Sequence, residues 1–274
     1  MQSEPPARRE PIFNLPGVVA AAVLVLVAIH VVRTALLSPE LDFAVLLDFA
    51  VVPARWTAVW DPAQAEAILR KAGAELPSQE AAWWRTLAQY LLSEREAKPW
   101  TALTYAFLHG SWPHVFLNSV WLAAFGTPVA RRCGGPRFLV LGGLGAVGGA
   151  VAHALSHSLS VAPMVGASAA VSGWMAAAAR FAFAHRRWDV TPGMPQDPHG
   201  RPLQSLRQLV RNRGAATFLV IWFATNLLFG FAAAPLGVTE SSIAWEAHLG
   251  GFAVGLFLFP WLDRRRETVL RSRP

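Results

Sequence analysis

Six stretches of this 274-residue chain are long and apolar enough to cross, or nearly cross, a hydrocarbon core, and they leave little freedom in what it can fold into. A spanning helix takes about 17–25 residues, because away from water the backbone must satisfy its own polar groups. The blocks lie near 15–37, 112–130, 138–156, 165–184, 215–234 and 242–262. Charged residues make up only 15% of the chain and hydrophobic residues 54%, where a soluble domain carries about 25% charged residues. The expectation is an all-α polytopic membrane protein, a bundle of six transmembrane helices. The first block follows Arg8 and Arg9, as a signal peptide would. Its apolar run exceeds the usual ~7–15 residues and no small-x-small cleavage site follows, so it reads as a retained span. The single cysteine, Cys133, excludes an internal disulfide.

A net charge of +7 and a pI near 10.9 can signal nucleic-acid binding, but the placement of the basic residues argues for topology instead. Arg131, Arg132 and Arg137 lie between spans two and three. Arg186, Arg187, Arg201, Arg207, Arg211 and Arg213 lie between four and five, and Arg264, Arg265, Arg266, Arg271 and Arg273 follow span six. The alternate loops, 159–164 and 235–241, contain neither Lys nor Arg. By the excess of basic residues on the cytoplasmic side, both termini are expected inside. The chain thus divides into a tail at 1–14, a six-span unit at 15–262 and a basic tail at 263–274. The outer loop between spans one and two, 38–110, is long and mixes acids with bases. Within it, Asp61 is a candidate N-cap before Pro62, and Gly73 a helix stop. Trp83, Trp84, Leu87, Tyr90 and Leu91 then recur at helical spacing, which suits a helix lying on the outer leaflet or one packed on its own loop. The Pro- and Gly-rich stretch 186–202 reads as an irregular connector.

Polar groups at membrane depth are costly and face a bundle interior or a wet cavity. Here they are His30, His114, Asn118, His153, Ser168, Ser172, Asn226 and His248, with His109 just outside span two. Carboxylates are almost missing from the spans, which excludes most ion-coupled transport built on membrane Asp or Glu. Span two opens with "HGSWPHVFLNS": Ser111 can cap it, Pro113 suits a first turn, and His114 and Asn118 share one face. They can converge as donors or serve as interhelical glue. Span four begins "VGASAAVSG", with Ser168 in its first turn, where unpaired N–H groups and the helix dipole favour a developing oxyanion. Close helix packing is the competing use of such small residues. Span six carries "AWEAHLGGFAVG". Its Gly251 and Gly255 permit close approach to the small face of span four (Ser168, Ser172, Ala176), which can bring Ser168 and His248 together. Glu246 points to roughly the opposite side of that helix from His248.

These three pieces, in this order, resemble the rhomboid family of intramembrane serine proteases. The pattern is HxxxxHxxxN at His109, His114 and Asn118, then GxS at Gly166 and Ser168 followed by Ala169, then AHxxG from Ala247 to Gly251. The resemblance covers about residues 99–262, and the long first loop falls outside it. It implies a six-helix bundle in the cytoplasmic (inner) membrane, with a water-accessible cavity opening to the outer face. Ser168 matches the nucleophile and His248 the general base. His114 and Asn118 match oxyanion support, and His109 a support for the first loop. It implies transmembrane protein substrates with one span, cut in or near the bilayer, and neither metal nor organic cofactor. Three positions depart from the pattern. Ala169 stands where many relatives have glycine, and Thr101 follows Trp100 where many have arginine. Ser172 stands where an aromatic ring often packs on the histidine.

Two other readings compete: a rhomboid-like pseudoprotease that binds membrane helices without cutting them, and a His-based metal or proton carrier using His30, His153 and His157. "HALSH" sets His153 and His157 four residues apart, a possible ligand pair. Retention of both Ser168 and His248 weighs against the first, and the lack of HExxH or an intramembrane carboxylate against the second. Oligomeric state and natural substrate are left open.

Overall fold

A computed structural model describes residues 14–74, 77–184, 201–232 and 244–263. The basic residues at 186, 187 and 264–273, the connector 186–200 and the loop 235–241 therefore lie outside the described residues. Among the described residues the structure is helical, in keeping with the all-α expectation.

The first span forms α1 (Gly17–Val31), which continues through a π turn at Val32–Leu36. The long first loop then builds α2 (Pro39–Phe49), α3 (Pro53–Trp60), α4 (Ala65–Lys71), α5 (Ser78–Glu94) and the single turn α6 (Thr101–Thr104). Span two is α7 (Trp112–Trp121) and α8 (Thr127–Cys133), joined by a π turn at Leu122–Gly126. Pro128 explains the break: it has no N–H to bond one turn back, and its ring displaces the carbonyl there. Spans three and four are α9 (Gly135–Ser156) and α10 (Ser168–Ala182). After α11 (Leu206–Arg211) come α12 (Arg213–Ala232) and α13 (Trp245–Leu262), the fifth and sixth spans.

By length and composition alone, Gly17–Leu36 and Gly135–Ser156 can each cross a membrane. The 15 residues of α10 reach only about 22 Å, short of a full hydrocarbon core. That is tolerable because α10 is the central pillar: every residue from Ala169 to Phe181 is buried. It packs against α9 and α13 through backbone rather than bulk. A Cβ on Gly251 would land on the carbonyl oxygen of Ala169, and one on Gly255 on that of Gly173. The expected GxxxG contact is thus made with α10 itself. Between α9 and α13 the same holds at Gly148 and Gly250. At the end remote from Ser168, Arg132 pairs with Asp263 at 2.6 Å, both side chains almost fully buried, tying α8 to the foot of α13.

The first loop is a compact cap. Leu87, Ala88 and Leu91 of α5 pack with Ile68, Leu47 and Val52. That face of α5 packs on its own loop. Trp83 stays 49% exposed while its ring meets Phe43, at a centroid distance of 5.8 Å. Gly73 ends the α4 segment at φ 72°, with Ala81 so close that a side chain would not fit. Asp61 departs from expectation: its side chain does not cap a helix but accepts from Gln64 at 3.1 Å, because Pro62–Gln64 forms a 3₁₀ turn before α4 begins. Ser38, not singled out above, does cap α2, accepting from the Leu41 N–H.

Candidate active site

The segment leading into α10 is held by the first loop through main-chain bonds. Val51 and Met164 exchange N–H···O bonds of 3.1 and 2.8 Å, and the Ala54 N–H reaches Ser160 O at 2.9 Å. The Thr57 hydroxyl donates to Ser158 O at 2.7 Å. One turn nearer the site, the Gly166 N–H donates to Tyr105 O at 3.0 Å, while the Tyr105 hydroxyl donates to Ala146 O of α9 at 2.8 Å. Gly166 itself has φ 126°, which a side chain would strain. A Cβ there would also sit 2.8 Å from the His114 ring and 3.8 Å from Ser168 Oγ. His114 and Ser168 therefore border the same small space.

Ser168 is the first residue of α10 and is half-buried. Val171 is the first of its N–H groups to bond back, to Ala167 O at 2.9 Å, so the preceding turn presents donors with no helical acceptor. Ser168 Oγ lies 2.8 Å from His248 Nε2 on α13. His248 Nδ1 lies 2.6 Å from Asn226 Oδ1 on α12, and the Asn226 amide nitrogen donates to Trp222 O at 2.8 Å. This chain of contacts assigns the protons. With the amide nitrogen engaged by Trp222, Asn226 turns its oxygen to His248, so Nδ1 carries the hydrogen. Nε2 is then the acceptor for the serine hydroxyl. Below the pair, Trp222 stacks on Phe252 with centroids 4.2 Å apart, one turn along each helix. Phe223, its neighbour, is 46% exposed.

The expected site residues are largely brought together. Ser111 caps α7 through the His114 N–H at 3.3 Å. The His109 and His114 rings meet edge to face at 5.0 Å, and the Ala167 N–H points at His109 Nε2 at 3.5 Å. Arg33, itself paired with Asp42 at 2.7 Å, donates to His109 O, so span one and α2 also brace this corner. Asn118 is buried and donates one amide hydrogen to His114 O at 3.1 Å, leaving the other free to act elsewhere. His30 is buried on α1 with its ring edge-to-face with Trp112 at 4.7 Å, and His153 lies near the C-terminal end of α9.

Each departure noted in the sequence meets a local substitute. The Ala169 methyl packs where α9 offers Gly149, whose missing side chain makes the room. Ser172 bonds back to Ser168 O at 2.8 Å, and Asn226 holds the imidazole from the other side. Thr101 closes its own turn on Lys98 O at 2.7 Å. The loop's charge support comes from Lys98, which binds Asp48 at 2.6 Å and Glu94 at 3.2 Å, and from Arg55, which binds Glu94 at 2.8 Å. Asn226 is the site residue that the sequence pattern did not assign. It was visible as an amide at membrane depth, but nothing in the near-uniform apolarity of α12 marks which side faces α13.

The family model for the rhomboid domain matches residues 96–265. The chain is 26% identical over 184 residues to the rhomboid protease GlpG of Serratia proteamaculans, covering 67% of this chain and 53% of that protein. It is 26% identical over 190 residues to the rhomboid protease GlpG of Yersinia pseudotuberculosis serotype I, covering 69% and 55% respectively. The GlpG of Yersinia pestis is 25% identical over the same length. The chain spans about half the length of these curated relatives. With a match over more than half of its own residues, on a helical bundle with the motif residues gathered at one end, the chain belongs to the rhomboid family.

Proposed function

We propose that the chain is an intramembrane serine endopeptidase working through a Ser168–His248 dyad. The observation that carries this is the 2.8 Å contact between Ser168 Oγ and His248 Nε2, at the first residue of α10. Ser168 Oγ attacks the peptide carbonyl carbon while its proton passes to His248 Nε2. The oxyanion faces the first-turn N–H groups of α10 and the His114 ring, with Asn118 behind. Collapse of the tetrahedral intermediate breaks the C–N bond, and the departing amine takes the proton from His248. Water, deprotonated by His248, then releases the acyl group from Ser168. Asn226 is a positioning residue that fixes the tautomer. No metal or organic cofactor has a part in these steps.

The substrates are single-span membrane proteins, cut in or near the bilayer. Both termini face the cytoplasm and the Ser168 cavity opens to the opposite face, a reading supported by the basic loops. The six-span unit is residues 15–262, with the loop 38–110 inserted as a brace.

The test is cleavage of a reporter membrane helix in vesicles. Ser168→Ala and His248→Ala lose cleavage while retaining the wild-type melting temperature; unchanged cleavage in either overturns the proposal. A fluorophosphonate probe labels the wild type and not Ser168→Ala. Absence of labelling in the wild type favours a pseudoprotease. Asn226→Ala lowers kcat about a hundredfold with KM unchanged, and Asn226→Asp, which can still accept from Nδ1, recovers part of it.

A further inference from the structure

On the other side of α13 from His248, at the end of α9, a second group of polar side chains converges. His153 and His157 are one turn apart, with rings stacked 4.8 Å between centroids and tilted by 24°. Glu246, in the first turn of α13, faces both. One ligand atom from each of the three residues falls within 4.8 Å of the others. Glu246 lies 3.9 Å from His153 Nδ1 and 3.8 Å from His157 Nε2.

We propose that His153, His157 and Glu246 bind a divalent transition-metal ion of the zinc type, linking the end of α9 to the start of α13. The separations are too long for hydrogen bonds, so a shared proton does not join the three groups. Tetrahedral zinc, with bonds of about 2.0–2.1 Å, holds its ligand atoms about 3.3 Å apart, within reach of small side-chain rotations. Among the described residues, His153 Nδ1, His157 Nδ1 and Glu246 Oε2 are buried with no hydrogen-bond partner. Buried polar atoms are rarely left so, and a cation satisfies two of them at once, His153 Nδ1 and the Glu246 carboxylate. Two imidazoles and one carboxylate favour zinc and its neighbours over magnesium or calcium. Three protein ligands leave a fourth position for water, and the His157 side chain, 42% exposed, gives the ion a way in. Sequence spacing supplied the histidine pair; the third ligand comes from a residue 89 positions further along.

This inference does not rest on the protease reading, and its test does not use cleavage. Purified protein without a polyhistidine tag, in detergent, is dialysed against micromolar ZnCl₂ and its metal content measured. One zinc per chain is expected, with Co²⁺ giving the visible absorption of a tetrahedral site. Glu246→Gln and His157→Ala each weaken binding by more than about tenfold. Zinc raises the melting temperature of the wild type and not that of His157→Ala. No zinc above the dialysis blank overturns the site. Binding unchanged in both variants also overturns it, by placing the ion elsewhere, such as on His109 and His114.

Discussion

Where α10 crosses α13, the carbonyl of Ala169 occupies the space in which a side chain on Gly251 would begin. Between α3 and α5, a guanidinium with only 1% of its surface exposed makes the join, from Arg55 to Glu94. The two regions lie within one chain and solve different problems. Helices surrounded by lipid gain little from hydrophobic attraction to each other, so they gain from contact area, which requires small residues and close backbones. The first loop mixes acids and bases among its apolar residues. It therefore adds buried ion pairs, which tolerate no loss of a partner. The α10–α13 crossing is thus sensitive to added volume and the loop to removed charge, while the bundle keeps a buried pair of its own at its other end, Arg132 with Asp263.

Four experiments put that contrast to the test. The largest effect is expected from Gly251→Val, which forces a side chain onto the Ala169 carbonyl. Overpacking of that kind costs about 3 kcal/mol or more, and folded monomer should disappear from size-exclusion profiles in detergent. If it persists with normal stability, the close crossing is not what holds the core.

Next is Glu94→Ala, which takes the carboxylate from Arg55 and leaves Lys98 with Asp48 alone. Because the Glu94 side chain is 19% exposed and solvent screens part of the interaction, a loss of about 2 kcal/mol is expected rather than the full value for a buried pair. Hydrogen exchange should rise in α5 and leave α9 and α10 unchanged.

Titration gives a smaller effect of known sign. Burial raises the Glu94 pKa, but hydrogen bonds from Tyr90 and Lys98 and the charge of Arg55 outweigh it, so the carboxyl sits below its ordinary 4.5. Its contribution is complete above that value and is lost as pH falls through the lowered one. For Lys98, burial pulls downward, yet Asp48 and Glu94 leave it above 10.5. Its contribution is complete below 10.5 and is lost as pH rises through the raised value. The loop should therefore loosen at both extremes, with protease nicking in 38–98 preceding any loss of core helix. Simultaneous loss of both would deny the two regions their independence.

The smallest change is expected from Arg70→Ala, which removes the pair with Glu66. Both side chains are more than two-thirds exposed, and such pairs contribute at most about 0.5 kcal/mol. Its melting temperature should match the wild type within error.

The same contrast explains what could be read in advance. Spans announce themselves because apolarity over a helix length has few other meanings, and the serine and histidine were placed together by small faces on spans four and six. In the loop, α2 and α3 gave weaker signals: short helices among mixed charges, whose partners lie up to about a hundred residues away, as Thr57 and Ser158 do. Asn226 and Glu246 were hidden for a related reason. Each acts across a helix interface, and the side of a helix that faces inward cannot be read where nearly every position is apolar.

The bridge between Val51 and Met164 is made of peptide groups alone. A register kept by main-chain atoms is blind to which side chains surround it. The residues at those two positions can be exchanged so long as chain length and direction survive there, and the approach to Ser168 will still be delivered at the same height.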